Sequence, residues 1–138
     1  KCIIASSKGK GFIANLENIT TSQKKGKQLF NLKDNDILIK IIEADKGYLA
    51  CVNSDGKLLI FNTRDIPTLQ RGSGVQLQKI KEPHILSDIH ILDIKKGITW
   101  QTGSLNRNEK NFNFWLGKRA QSGKKVPKRF NKNLKFYQ

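Results

Sequence analysis

Side chains able to do acid–base, nucleophilic or metal chemistry are sparse in this sequence and poorly spaced for it. His84 and His90 stand near Asp88 and Asp93, but no cysteine or glutamate pattern accompanies them to close a metal site, so both read as ordinary surface or strand histidines. There is no nucleophile elbow, no phosphate loop ending in Gly-Lys-Ser/Thr, and no pair of carboxylates at a recognisable spacing. Ser7-Lys8-Gly9-Lys10-Gly11 resembles a phosphate-cradling loop in composition only. It falls between two expected strands rather than between a strand and a helix, and reads as a hairpin turn. Cations, by contrast, abound: Lys and Arg outnumber Asp and Glu by 26 to 11, a formal charge of +15. What such side chains can do is neutralise a polyanion.

Their placement is periodic. Lys24, Lys25 and Lys27 fall in one loop, Arg71 in a second, and Lys118, Arg119, Lys124 and Lys125 in a third. Lys8, Lys10 and Lys57 sit at expected hairpin tips, and Arg64 on a connecting turn. From residue 117 to the end every charged residue is basic, Lys128 and Arg129 among them. Loop glycines Gly26, Gly72, Gly74 and Gly123 accompany the cations, permitting tight turns and close approach of backbone amides to an anion. Loops of one sign at equivalent points of a repeat repel one another and call for a counter-charge.

The repeat is organised around residues 53–80. Setting Ser7-Lys8-Gly9-Lys10-Gly11-Phe12-Ile13-Ala14-Asn15 against Ser54-Asp55-Gly56-Lys57-Leu58-Leu59-Ile60-Phe61-Asn62 aligns serine, glycine, lysine, isoleucine and asparagine. Gly26-Lys27-Gln28-Leu29 then answers Gly74-Val75-Gln76-Leu77, giving a period of about 48 residues, in the range of stacked or radial repeats. A looser third copy follows, with Lys96-Gly97 answering Lys46-Gly47. Strands are expected over 2–5, 11–15, 28–32, 37–42, 48–52, 58–62 and 75–80, with a polar loop over 20–27. One helical turn before a strand at 89–92, and a last hairpin of 98–102 with 111–116 across a polar tip at 103–110, complete the reading. These elements imply an all-β chain of about three four-stranded antiparallel blades forming an open arc, with repeats at 1–35, 36–83 and 84–130 and a basic tail at 131–138.

Methionine is absent, and Lys1-Cys2-Ile3-Ile4-Ala5 opens inside an apparent strand, so the sequence reads as a piece with its upstream part removed. Cys2 and Cys51 lie in apolar strand patterns and are expected to be buried free thiols in a reducing cytoplasm. No apolar run approaches membrane-spanning length and no basic amphipathic helix is expected, which sets a membrane surface behind nucleic acid as the anionic partner. Phe12, Phe30, Phe61, Phe112 and Phe114 fall in strand patterns, where packing is their expected role. Duplex DNA, bound through its phosphates and bent along a curved rim, is therefore the leading partner; an acidic protein and RNA are the alternatives.

Ser7-Lys8-Gly9-Lys10-Gly11-Phe12, Ser54-Asp55-Gly56-Lys57-Leu58-Leu59-Ile60-Phe61, Asp65-Ile66-Pro67 and Gln70-Arg71-Gly72-Ser73-Gly74 together resemble the C-terminal domain of the A subunit of bacterial type IIA topoisomerases. That resemblance implies a β-pinwheel whose blades exchange strands and whose basic rim binds and bends duplex DNA. It implies that the domain presents DNA to a catalytic core for decatenation and relaxation. Gln70-Arg71-Gly72-Ser73-Gly74-Val75-Gln76 retains only a degenerate form of the gyrase box, favouring topoisomerase IV, with the gyrase wrapping domain as the alternative. The resemblance further implies a monomeric, non-catalytic module, cytoplasmic and nucleoid-associated. Its partners would be the remainder of the enzyme's A and B subunits, with ATP and Mg needed only by the full enzyme.

Overall fold

The computed structural model of the chain describes residues 1–26 and 28–137. Ten strands and one helix follow in the order β1 (Cys2–Ser6), β2 (Lys10–Ala14), α1 (Leu16–Lys25), β3 (Leu38–Glu43), β4 (Tyr48–Asn53), β5 (Lys57–Asn62), β6 (Val75–Gln76), β7 (Leu86–Ile91), β8 (Ile98–Thr102), β9 (Leu105–Glu109) and β10 (Lys124–Lys125). They build two four-stranded antiparallel sheets, ordered β3-β1-β2-β6 and β10-β5-β4-β7, and a two-stranded sheet β8-β9. The architecture is all-β, as the sequence implies. Each four-stranded sheet closes with a two-residue strand from the following repeat: β6 pairs with β2, and β10 with β5.

The repeat is reproduced bond for bond at the hairpin turns. Ser7 N–H donates to Ile37 O at 2.8 Å, and Ser54 N–H to Ile85 O at 2.9 Å. Ser7 Oγ accepts from Ile37 N–H and Ser54 Oγ from Ile85 N–H, at 3.1 and 3.0 Å. Alternation along β4 explains how the sheets stack: Leu49 and Cys51 join the first sheet's Ile3 and Ala5 in one apolar cluster. Ala50 and Val52, on the other face, pack with Ile98, Trp100, Phe130 and Phe136. Buried on both sides, β4 reads as a nearly unbroken apolar run. A third cluster, Ile4, Phe12, Ala14 and Phe30, is covered by Ile19 of α1 together with Leu29, Leu32 and Leu69.

Several elements differ from expectation. In place of a polar loop over 20–27, helix α1 runs from Leu16 to Lys25, entered through Asn15 in an extended conformation and ended by Gly26 at φ 64°. Its polarity hides the few apolar contacts, chiefly Ile19, that hold it to the sheet. Residues 28–32 make a single bridge, Phe30 to Gly72, rather than a strand. Instead of a helical turn, β7 is extended from Leu86 and pairs with β4. The last hairpin turns at Gly103 and Ser104, because Thr102 pairs directly with Leu105. Its second strand, β9, is polar throughout apart from Leu105, so periodicity gives no sign of it.

Asp88 ties three segments together. It accepts from Lys40 Nζ at 2.7 Å and, through its other oxygen, from Phe136 N–H at 2.9 Å, each partner lying 48 residues away. Equivalent positions of successive repeats therefore touch. Beside this knot His90 stacks on Phe136 at 5.5 Å and lies 5.2 Å from Tyr137. Burial lowers the His90 pKa, Asp88 opposes that shift and Lys40 adds to it. Asp36 is also lowered: burial raises it, but hydrogen bonds from Ser7, the Lys8 amide, Ser6 and the Ile37 amide outweigh that.

The signs predict two steps in acid. Because the unfolded chain holds a proton on His90 more tightly than the folded chain does, stability is greatest above pH about 6.5 and falls as pH drops towards the folded value. Asp36 contributes above about 3.8 and is lost as pH falls through its lower folded value. Urea midpoints measured against pH should show both steps, and His90→Phe should remove the upper one alone. Midpoints that do not change for the wild type between pH 7 and 5 would contradict the assignment.

Candidate nucleic-acid interface

Lys8 is exposed on the β1–β2 turn, where its main-chain N–H donates to Asp36 Oδ1 at 3.0 Å and its Nζ to Asp34 O at 3.3 Å. Lys10 begins β2. Both line a groove of about 660 Å³ with Lys79 of the second repeat and His84 at the start of the third. Loop composition does not single out Lys79, although the repeat marks it: it follows Leu77 by two residues as Lys128 follows Val126.

Lys57 occupies in β5 the position of Lys10 in β2, and it is directly opposite Lys125 of β10. Like charges directly opposite one another in a sheet repel, and Lys57 and Lys125 are such a pair. Lys124 is exposed beside it, its Nζ 4.5 Å from the Phe114 ring centroid. Arg64, Lys118 and Arg119 come together along a second groove of about 580 Å³, despite their distance in sequence. Arg119 is only half-exposed, and its Nη1 donates to Gln76 O at 2.8 Å, so part of its capacity ties the Lys118–Gly123 loop to β6. Arg71, Lys118, Lys128 and Arg129 are exposed, as is Lys24 on α1. Lys25 is the last residue of α1, and Lys27 lies outside the described residues. Among the described residues, the one lysine or arginine in an ion pair is Lys40, with Asp88, while His84 Nε2 lies 3.3 Å from Asp55 Oδ1.

The glycines have distinct reasons. Gly26 caps α1, and Gly72 adopts φ 147° at its bridge to Phe30. Gly74 and Gly123 immediately precede β6 and β10 with φ 73° and 84°, and a Cβ there would lie 2.6 Å from Gly11 O and 2.4 Å from Leu58 O. What these two allow is the close approach of one strand to another.

His84 does not meet Asp88 or Asp93. Its Nδ1 is hydrogen-bonded to Ser54 Oγ at 3.0 Å and its Nε2 faces Asp55 Oδ1 at 3.3 Å. Although the residue types are those of a hydrolytic triad, Ser7 and Asp36 make the same tether in the first repeat, at 2.7 Å, which identifies a turn anchor. Burial pushes the Cys51 thiol far up and Asp88 adds to it, leaving it unreactive. Cys2 is half-buried, and neither cysteine is in a disulfide. Among the described residues no three metal-ligating side chains converge, and no helix is long and apolar enough to cross a membrane.

A family model described as DNA gyrase C-terminal domain, beta-propeller, matches residues 1–44 and 47–93. The chain belongs to this family. Within it, the A subunit of DNA topoisomerase 4 from Rickettsia bellii (strain RML369-C) is 39% identical over 97% of this chain, and that of Caulobacter vibrioides 34% identical over 99%. The chain spans 18% of the length of each of these relatives. The fold matches the E. coli ParC C-terminal domain with a TM-score of 0.72 at 18% identity, over 94% of this chain and 57% of that one. A DNA gyrase A C-terminal domain matches with 0.66 at 22% identity, over 94% and 45%. In this family's terms, the two four-stranded sheets are blades.

Proposed function

We propose that this domain is the duplex-binding, non-catalytic module of a topoisomerase IV of the bacterial type, part of its A subunit, holding and bending DNA for a catalytic core elsewhere in the enzyme. The observation that carries the reading is the repeated, uncompensated positive charge: Lys10 and Lys57 at one position of successive blades, with Lys125 directly across from Lys57. Relatives named as the A subunit of DNA topoisomerase 4 support the assignment over a gyrase wrapping domain. Phosphates laid along these positions would relieve the cross-strand repulsion, and release of their counterions would supply the affinity. Contacts of this kind ignore base sequence. DNA binding by the domain needs neither ATP nor Mg; those belong to the enzyme assembled from its A and B subunits, acting on the bacterial nucleoid.

Fluorescence anisotropy with a duplex of about 40 base pairs across a salt series tests this, a length-matched RNA hairpin serving as competitor. Binding without sequence preference and a log–log salt slope of about −4 or steeper are expected. Lys10→Ala and Lys57→Ala should each weaken binding equally on all sequences and make the slope shallower by about one. A flat slope, or preference for the hairpin, would overturn the reading in favour of an acidic protein partner or RNA.

A further inference from the structure

The third sheet departs from the repeat on its inward face. In the second sheet β4 and β5 pair Cys51 with Leu59 and Leu49 with Phe61, all four buried. The corresponding pairs in the third are Trp100 with Arg107 and Ile98 with Glu109. Residues directly opposite in a sheet share a face, so Arg107 and Glu109 point to the same side as Trp100 and Ile98, which pack on the second sheet. Here two charges stand where the previous blade has leucine and phenylalanine.

The space they line is a cavity of about 1050 Å³. Arg107, Lys125 and Lys128 supply positive charge, and Trp100, Trp115 and Phe114 supply aromatic wall. Arg107 Nε is buried without a hydrogen-bond partner among the described residues. Both indole N–H groups are already committed, Trp100 to Arg129 O at 3.0 Å and Trp115 to Lys125 O at 2.7 Å, so the tryptophans offer ring surface only. Phe114 is no strand residue: it lies in the 3-10 turn Asn113–Trp115, is 56% exposed, and meets Trp115 edge-on at 5.0 Å. An exposed ring beside converging cations suits a flat aromatic group carrying an anion.

We propose that this cavity binds one unpaired nucleotide, with its phosphate on Arg107, Lys125 and Lys128 and its base against Phe114. Glu109, the carboxylate among these cations, accepts from an exocyclic amino group, which favours guanine, adenine or cytosine over thymine. A single-stranded end or an extruded base presents such a unit; a paired base in a duplex does not. The site shares Lys125 and Lys128 with the cations assigned to duplex binding, whereas Arg107 and Phe114 belong to it alone.

The sequence has two tryptophans and both line the cavity, so intrinsic fluorescence reports on this site. Titration with deoxyguanosine monophosphate should give saturable quenching, weaker with thymidine monophosphate and absent with inorganic phosphate. Arg107→Leu restores the residue type of the preceding blade and should weaken nucleotide binding about tenfold or more. Phe114→Ala, at an exposed side chain, should weaken it about tenfold. Duplex affinity of both variants should stay within about twofold of wild type, because neither residue is placed on the rim. No saturable quenching by the nucleotide, equal quenching by inorganic phosphate, or quenching indifferent to both substitutions would overturn the proposal, whatever the duplex measurement gives.

Discussion

Asp88→Ala should destabilise the domain by about 2 kcal/mol and loosen its last residues before the rest unfolds. The carboxylate is 3% exposed and satisfies three donors from three segments: Lys40 Nζ, the N–H of its neighbour Ile89 at 2.9 Å, and Phe136 N–H. Alanine leaves the Phe136 amide buried without an acceptor. Lys40 is 35% exposed and can turn to water, which is why the expected loss lies below that of a fully buried pair. Denaturant unfolding gives the global loss, and amide exchange at Phe136 gives the local one. If exchange there matched the wild type while global stability fell, the carboxylate would not be what holds the C-terminal segment to β7.

Gly123→Ala and Gly74→Ala should each cost roughly 3 kcal/mol, with melting temperatures lower by roughly 10 °C. Left-handed backbone accounts for about 1 to 2 kcal/mol of that. The remainder comes from driving a methyl group into the main chain of the neighbouring strand, where no side chain can rotate away. Gly56 separates the two contributions: its φ is 76°, but a Cβ would meet nothing within 4 Å. Gly56→Ala should therefore lose only the backbone part. Thermal melts of the three variants measure the difference, and equal losses would show that strand approach is not the constraint at Gly74 and Gly123. Because the affected strands close each blade, Gly123→Ala should also lose part of the register between Lys57 and Lys125, and Gly74→Ala part of that between Lys10 and Gln76, and both should bind duplex more weakly.

Much of this arrangement was legible in the residues. Short, nearly continuous apolar runs bounded by turn residues marked β1, β2, β4 and β5, since most of their residues are buried and a strand covered on both faces shows no polar alternation. Serine and glycine punctuation marked the hairpin turns, and their recurrence gave the repeat that the backbone hydrogen bonds reproduce. The charge balance needed no structure at all. Helix α1 escaped because Thr20, Thr21, Gln23 and Lys24 leave a weak apolar stripe, so its packing partners decided its conformation. β9 escaped because Leu-Asn-Arg-Asn-Glu carries no apolar alternation; its pairing with β8 made it a strand.

The amino-acid sequence by itself determined an all-β repeat protein with excess positive charge at recurrent loops, because strand periodicity, turn chemistry and charge are local properties. Tertiary structure alone decided which strand completes which blade. β6 and β10 are two residues long, too short to carry a period, and their partners are distant in sequence. It also decided which cations meet: Lys79 with Lys8 and Lys10, Arg64 with Lys118, and Lys57 with Lys125. That Arg107 faces inward follows from its register with Trp100, and register is fixed by pairing across a sheet.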